Sequence, residues 1–132
     1  MCGFAGFLIR GAIQDNNLSA IAQQMGAAIT HRGPDDGGVW CDDQQGVALA
    51  HRRLSILDLS LEGHQPMVSV SGRYVLAYNG EVYNFKALRI ELEKIGCRFH
   101  GHSDTEVILA AIETWGLQTA IEQFIGMFAF AI

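Results

Sequence analysis

This sequence has few of the features that mark stapled, membrane-bound or nucleic-acid-binding proteins. It contains only three cysteines, Cys2, Cys41 and Cys97. An odd count at wide spacing does not make a disulfide framework, and reduced thiols in a cytoplasmic protein are the expectation. Nine basic residues form no run, and the net charge is −5. That balance argues against nucleic acid or an anionic membrane as partner. Apolar runs are short, and none approaches the roughly 20 residues of a membrane span. The apolar start, Cys2 to Ile9, has no basic residue before it and is short for a signal segment, so no targeting role is expected of it. There is no internal repeat, low-complexity tract or linker.

What is present is a globular composition, 49% apolar and 17% charged, over 132 residues. That length suits one domain with a real core. Phe4 to Ile9 reads as a buried strand closed by Arg10-Gly11. Leu18, Ile21, Ala22, Met25 and Ile29 recur at helical spacing, with Asn16 or Asn17 as cap and His31-Arg32-Gly33-Pro34 as the end. Val39 to Cys41 and Val47 to Ala50 read as strands around the polar turn 42–46, and Leu54 to Leu57 as an extended continuation. Residues 58–66 read as loop. Met67 to Val70 and Tyr74 to Tyr78 flank Ser71-Gly72-Arg73 as a hairpin. Phe85, Leu88, Leu92 and Ile95 mark a second helix stopped by Gly96.

Ser103-Asp104-Thr105-Glu106 has the form of a capping box before a third helix, with Val107, Ile108, Ala111, Ile112 and Trp115 inward. Ala120 to Phe124 reads as a short helix and Gly126 to Ile132 as an apolar strand. Runs of strands with helices segregated between them predict an α+β layered domain. An apolar strand running off the chain needs a neighbour. The expectation is a fragment of a longer protein or pairing with another chain, self-association included.

Several clusters could carry chemistry. Loss of Met1 would place a thiol and a free α-amino group on Cys2. Reference pKa values are about 8.5 for a thiol and about 7.7–8.0 for an α-amino group, so nucleophile and base would sit within one residue. His31 to Gly38 reads first as a helix terminator and a glycine-rich turn. Arg52 and Arg53 after a strand read first as a solvated strand end, although one could clamp a carboxylate through paired hydrogen bonds. Asn79-Gly80 is first a turn signal. The Asn amide and the glycine N–H could also converge on an oxyanion. An acid at Asp104 is favoured by the helix dipole, and could equally accept hydrogen bonds from an ammonium. Cys97, His100 and His102 match no zinc spacing, so no metal site is expected.

Taken together, MCGFAGFL, HRGPDDGG, AHRRLSILDLS, GHQPM, YNGEVYN, GHSDTEVIL and GMFAFAI resemble, in order, the glutamine-hydrolysing domain of asparagine synthetases. These are class II, or N-terminal-nucleophile (Ntn), glutamine amidotransferases. The resemblance spans nearly the whole chain. It implies an Ntn-hydrolase-like four-layer αββα sandwich of antiparallel sheets, incomplete at its C-terminal end. It implies Cys2 as nucleophile with its own α-amino group as base, and Asn79 and Gly80 as oxyanion donors. Arg53 would bind the glutamine α-carboxylate, and Asp104 and Glu81 its α-ammonium. Leu54 and Ile56 would shape the pocket. His31 and Arg32 would support the nucleophile loop.

On the same resemblance, residues 1–132 form a partial amidotransferase domain that makes ammonia from glutamine for a synthetase domain or chain. No cofactor is expected in this part, and ATP and Mg2+ belong to the synthetase. Two alternatives stay open. One is an amidotransferase serving another acceptor, in polysaccharide, amino-sugar or purine synthesis. The other is a catalytically idle binding or assembly module.

Overall fold

The computed structural model describes residues 2–10, 17–55 and 61–132. Met1, Asn16 and Ile56 lie outside the described residues. The first strand, β1 (Gly3–Leu8), is followed by helix α1 (Leu18–Ala28), β2 (Asp36–Asp42) and β3 (Val47–Arg53). The hairpin strands β4 (Met67–Val68) and β5 (Val75–Val82) follow, then α2 (Phe85–Lys94), α3 (Asp104–Trp115), α4 (Leu117–Gln123) and β6 (Gly126–Ala131). The strands form two antiparallel three-stranded sheets, in the orders β1-β3-β2 and β4-β5-β6.

The layering follows from which side chains each strand presents. In β3 the alternation sends Ala48 and Ala50 toward α1, where they pack with Leu18 and Ala22. Leu49, His51 and Arg53 therefore point away from α1, and that side of the sheet meets β5. In β5, Leu76, Tyr78 and Val82 pack against Leu88, Leu92, Val107, Ile108 and Ile112 from the helices behind. The order is α1, first sheet, second sheet, then α2 to α4: the expected αββα sandwich.

Local signals explain most element ends. Gly96 has φ of +99°. Its N–H bonds to Glu93 O, and the Cys97 N–H to Leu92 O, a paired closure of the α2 C-terminus. Ser103 Oγ accepts the Glu106 N–H and so caps α3. The Glu106 carboxylate does not complete a reciprocal box. It takes the His100 and Gly101 amides at 2.7 and 3.0 Å, tying the preceding loop instead. Asn17 flanks α1 without a side-chain capping bond.

Two expectations based on local turn chemistry are corrected. Gly37-Gly38 is not a free turn, because β2 already begins at Asp36 and pairs with the arginines of β3. Asn79-Gly80 does not reverse the chain. Both residues sit inside β5, opposite Ala129 and Phe128 of β6. Pairing with a strand nearly 50 residues away overrides the local preference, because ladder bonds and packing outweigh a dipeptide propensity. A smaller difference lies at α4, which starts at Leu117, after Gly116 at φ +83° separates it from α3.

Candidate active site

Cys2 sits one residue before β1, and β1 pairs with β3 so that Gly3 lies opposite Arg52. This register brings the thiol to the end of β3. The Leu54 N–H points at Cys2 Sγ over 3.3 Å, and Sγ lies 3.7 Å from the Leu54 carbonyl. Arg32, on the short turn after α1, donates to the Cys2 carbonyl at 3.3 Å. That bond holds the Cys2 main chain against the turn after α1.

Strand alternation separates the two adjacent arginines. Arg52 is on the α1 side of the sheet, where its Nε donates to Gly33 O at 3.0 Å. Arg53 shares the opposite face with His51 and is only 8% exposed. Gly63 faces the Arg53 guanidinium so closely that any side chain there would occupy its place.

The second sheet contributes the other half. Asn79 and Glu81 alternate with Tyr78, Gly80 and Val82 along β5, so their side chains leave the face that packs on the helices. Gly80 has φ of +154°, and a Cβ there would lie 2.5 Å from Phe128 Cα and closer still to the Met127 carbonyl. Only glycine fits a strand pressed this tightly against β6.

Asp104 is the first residue of α3 and is 6% exposed. Its Oδ2 accepts the Tyr78 hydroxyl at 2.8 Å and the Val82 N–H at 3.1 Å. Burial, followed by the neighbouring Asp104 charge, pushes the Tyr78 hydroxyl far above its ordinary value, so it stays protonated and donates. The acid thus has more than a helix-dipole role: it fastens α3 to β5.

These residues surround one cavity of about 290 Å³. Arg53 comes from the end of β3, Cys2 and Leu54 from just beyond the ends of β1 and β3, Asn79, Gly80 and Glu81 from β5, and Asp104 from α3. Every described residue expected at the site therefore lines it, and Ile56 is outside the described residues. The cavity joins one guanidinium to two carboxylates beside a thiol, a charge pattern that suits an amino acid zwitterion. Its size suits a small ligand. A thiol and an Asn-Gly pair in the same cavity are kinds of group that acyl-transfer chemistry can use.

Sequence reasoning assigned no role to several residues in or behind the cavity wall. Gln65 is buried, accepts the Tyr78 N–H at 2.7 Å and donates to Thr105 Oγ1 at 3.3 Å. His51 is 1% exposed, and its Nε2 lies 2.9 Å from Tyr78 O. Tyr83 joins the exposed Met127 in the cavity wall. Gln65 lay within a recognised motif, GHQPM, but nothing in the sequence identified its partner. Among the described residues, no group of three His, Cys, Asp or Glu side chains is arranged to hold a metal ion. Cys97 Sγ instead lies 3.6 Å from Thr114 Oγ1. No described helix is long and apolar enough to cross a membrane.

Comparison with known proteins matches residues 1–132 to a family model described as a glutamine amidotransferase domain. The whole chain aligns with asparagine synthetase [glutamine-hydrolyzing] 1 of Bacillus subtilis at 40% identity, covering 20% of that protein. It also aligns throughout with amidase chry2 of Gibberella zeae at 33% identity, covering 21% of it. The chain thus spans about a fifth of the length of these relatives. Among solved structures, the glutamine phosphoribosylpyrophosphate amidotransferase of B. subtilis superimposes on 98% of the chain and 34% of its own, with TM-score 0.77 and 19% identity. At that identity the likeness shows the fold.

Proposed function

Because the chain belongs to the glutamine amidotransferase domain family, we propose that it hydrolyses the side-chain amide of glutamine to glutamate and ammonia through a Cys2 thioester. The observation that carries this reading is the convergence of Cys2, Arg53, Asn79, Gly80, Glu81 and Asp104 on one cavity. With Met1 removed, the α-amino group of Cys2 takes the thiol proton as Sγ attacks the amide carbon. The Asn79 side-chain amide and the Gly80 N–H hold the oxyanion. Collapse breaks the C–N bond, and the proton held by the α-amino group leaves with ammonia. Water then adds to the thioester carbon, glutamate departs, and the thiol is restored.

Arg53 holds the substrate α-carboxylate through paired hydrogen bonds, which favour a guanidinium over an ammonium. Asp104 and Glu81 receive the α-ammonium. Leu54, and on the sequence pattern Ile56, shape the pocket around the side chain. Ammonia passes to an ATP- and Mg2+-dependent synthetase domain or chain in the cytoplasm, with aspartate as acceptor. The test is glutamate release from glutamine by protein lacking Met1. Cys2→Ala is expected to abolish it, and full activity in that variant would overturn the proposal.

A further inference from the structure

His51 is the most buried ionisable side chain of the first sheet, and the chemistry above leaves it without a role. It sits on β3 between Phe4 of β1 and Gly38 of β2, and reaches across to β5. Tyr78 O is a carbonyl and can only accept, so the ring proton resides on Nε2. Nδ1 is then a bare lone pair, buried without a hydrogen-bond partner among the described residues. A second ring proton would have nowhere to go. Burial also pushes the imidazole below its ordinary pKa, against the raising effects of the Tyr78 bond and the Asp36 charge. Arg53 and His64 add to the lowering.

The Tyr78 carbonyl belongs to the same planar peptide as the Asn79 N–H. β4 stops pairing at Leu76, so both main-chain groups of Tyr78 are taken by side chains, the N–H by Gln65 and the C=O by His51. Apolar packing sets how far apart the two sheets lie, but it is non-directional. The His51 bond is directional. It runs from the sheet that carries Cys2 to the residue just before Asn79.

We infer that neutral His51 is a positioning residue that locks the oxyanion strand in register with the nucleophile. This rests on the proposed glutamine hydrolysis. Gln places an Nε2 donor where His has one, whereas Met has similar length and no donor. His51→Met is expected to lower kcat ten- to a hundredfold with KM within about threefold, and His51→Gln to recover most of the loss. Equal kcat in the two variants, or a parallel change in kcat and KM, would overturn the inference. Imidazole 15N spectra of the unsubstituted protein provide a measurement independent of activity. A fixed Nε2–H tautomer near neutral pH is expected, and an Nδ1–H tautomer would refute the tether. Absence of glutamine hydrolysis in the unsubstituted protein would overturn the function and the catalytic consequence together, while the spectra still decide the tether.

Discussion

The Tyr78 hydroxyl donates to Asp104 Oδ2 over 2.8 Å, joining the inner strand of one sheet to the first turn of the helix behind it. The same oxygen takes the Val82 amide. A carboxylate at the rim of a cavity is thereby held in one orientation, with Oδ1 engaged by neither bond.

Tyr78→Phe should therefore weaken both stability and substrate binding while leaving the ring packing intact. Removing a donor from a buried carboxylate costs about 1.5–3 kcal/mol. Denaturant titration should show a loss of that size, and KM for glutamine should rise several-fold. An unchanged unfolding midpoint would count against the bond.

The arginine pair gives a contrast set by register. Arg53→Lys should raise KM for glutamine about tenfold or more, because an ammonium cannot reproduce bidentate carboxylate binding. Arg52→Lys, on the opposite face, should leave KM within about twofold. Steady-state kinetics on the two variants decide the matter, and equal effects would contradict the assigned faces.

Asn79 and Gly80 should fail in different ways. Asn79→Ala should lower kcat about a hundred- to a thousandfold, the usual cost of one oxyanion donor, with the fold retained. Gly80→Ala should instead destabilise the second sheet, since its Cβ would strike β6. Circular dichroism melting alongside kinetics separates these outcomes.

A pH prediction follows from His51. Its folded-state pKa lies below the unfolded value of about 6.5. Between the two values the unfolded chain binds the extra proton, so stability rises with pH. The contribution is present in full above about pH 6.5 and is lost as the pH falls through the folded-state value. In His51→Gln this limb should vanish. The ratio of stabilities at pH 7 and pH 5 should therefore be larger for the unsubstituted protein than for the variant.

The sequence made the helices, the hairpin and the stop at Gly96 legible, because their signals are local. It also made the site residues legible as a set, through motifs in a familiar order. It did not reveal the extent of β5. Asn79-Gly80 is a turn by propensity and a strand by pairing, and the pairing partner is in β6. Period-two alternation separates Arg52 from Arg53, but which face holds the cavity depends on where α1 packs. Gln65 and His51 stood within the quoted motifs, but their roles were not legible, for another reason. Each serves a main-chain group of Tyr78, 13 and 27 residues away, and a main-chain partner leaves no mark on residue type.

The close fit of Gly80 against Phe128 has a practical consequence. Turnover becomes a gauge of how firmly the last strand is zipped onto its neighbour. Mild denaturant that frays β6 should silence glutamine hydrolysis while α1 and its sheet still give a folded signal, so loss of activity should precede loss of structure.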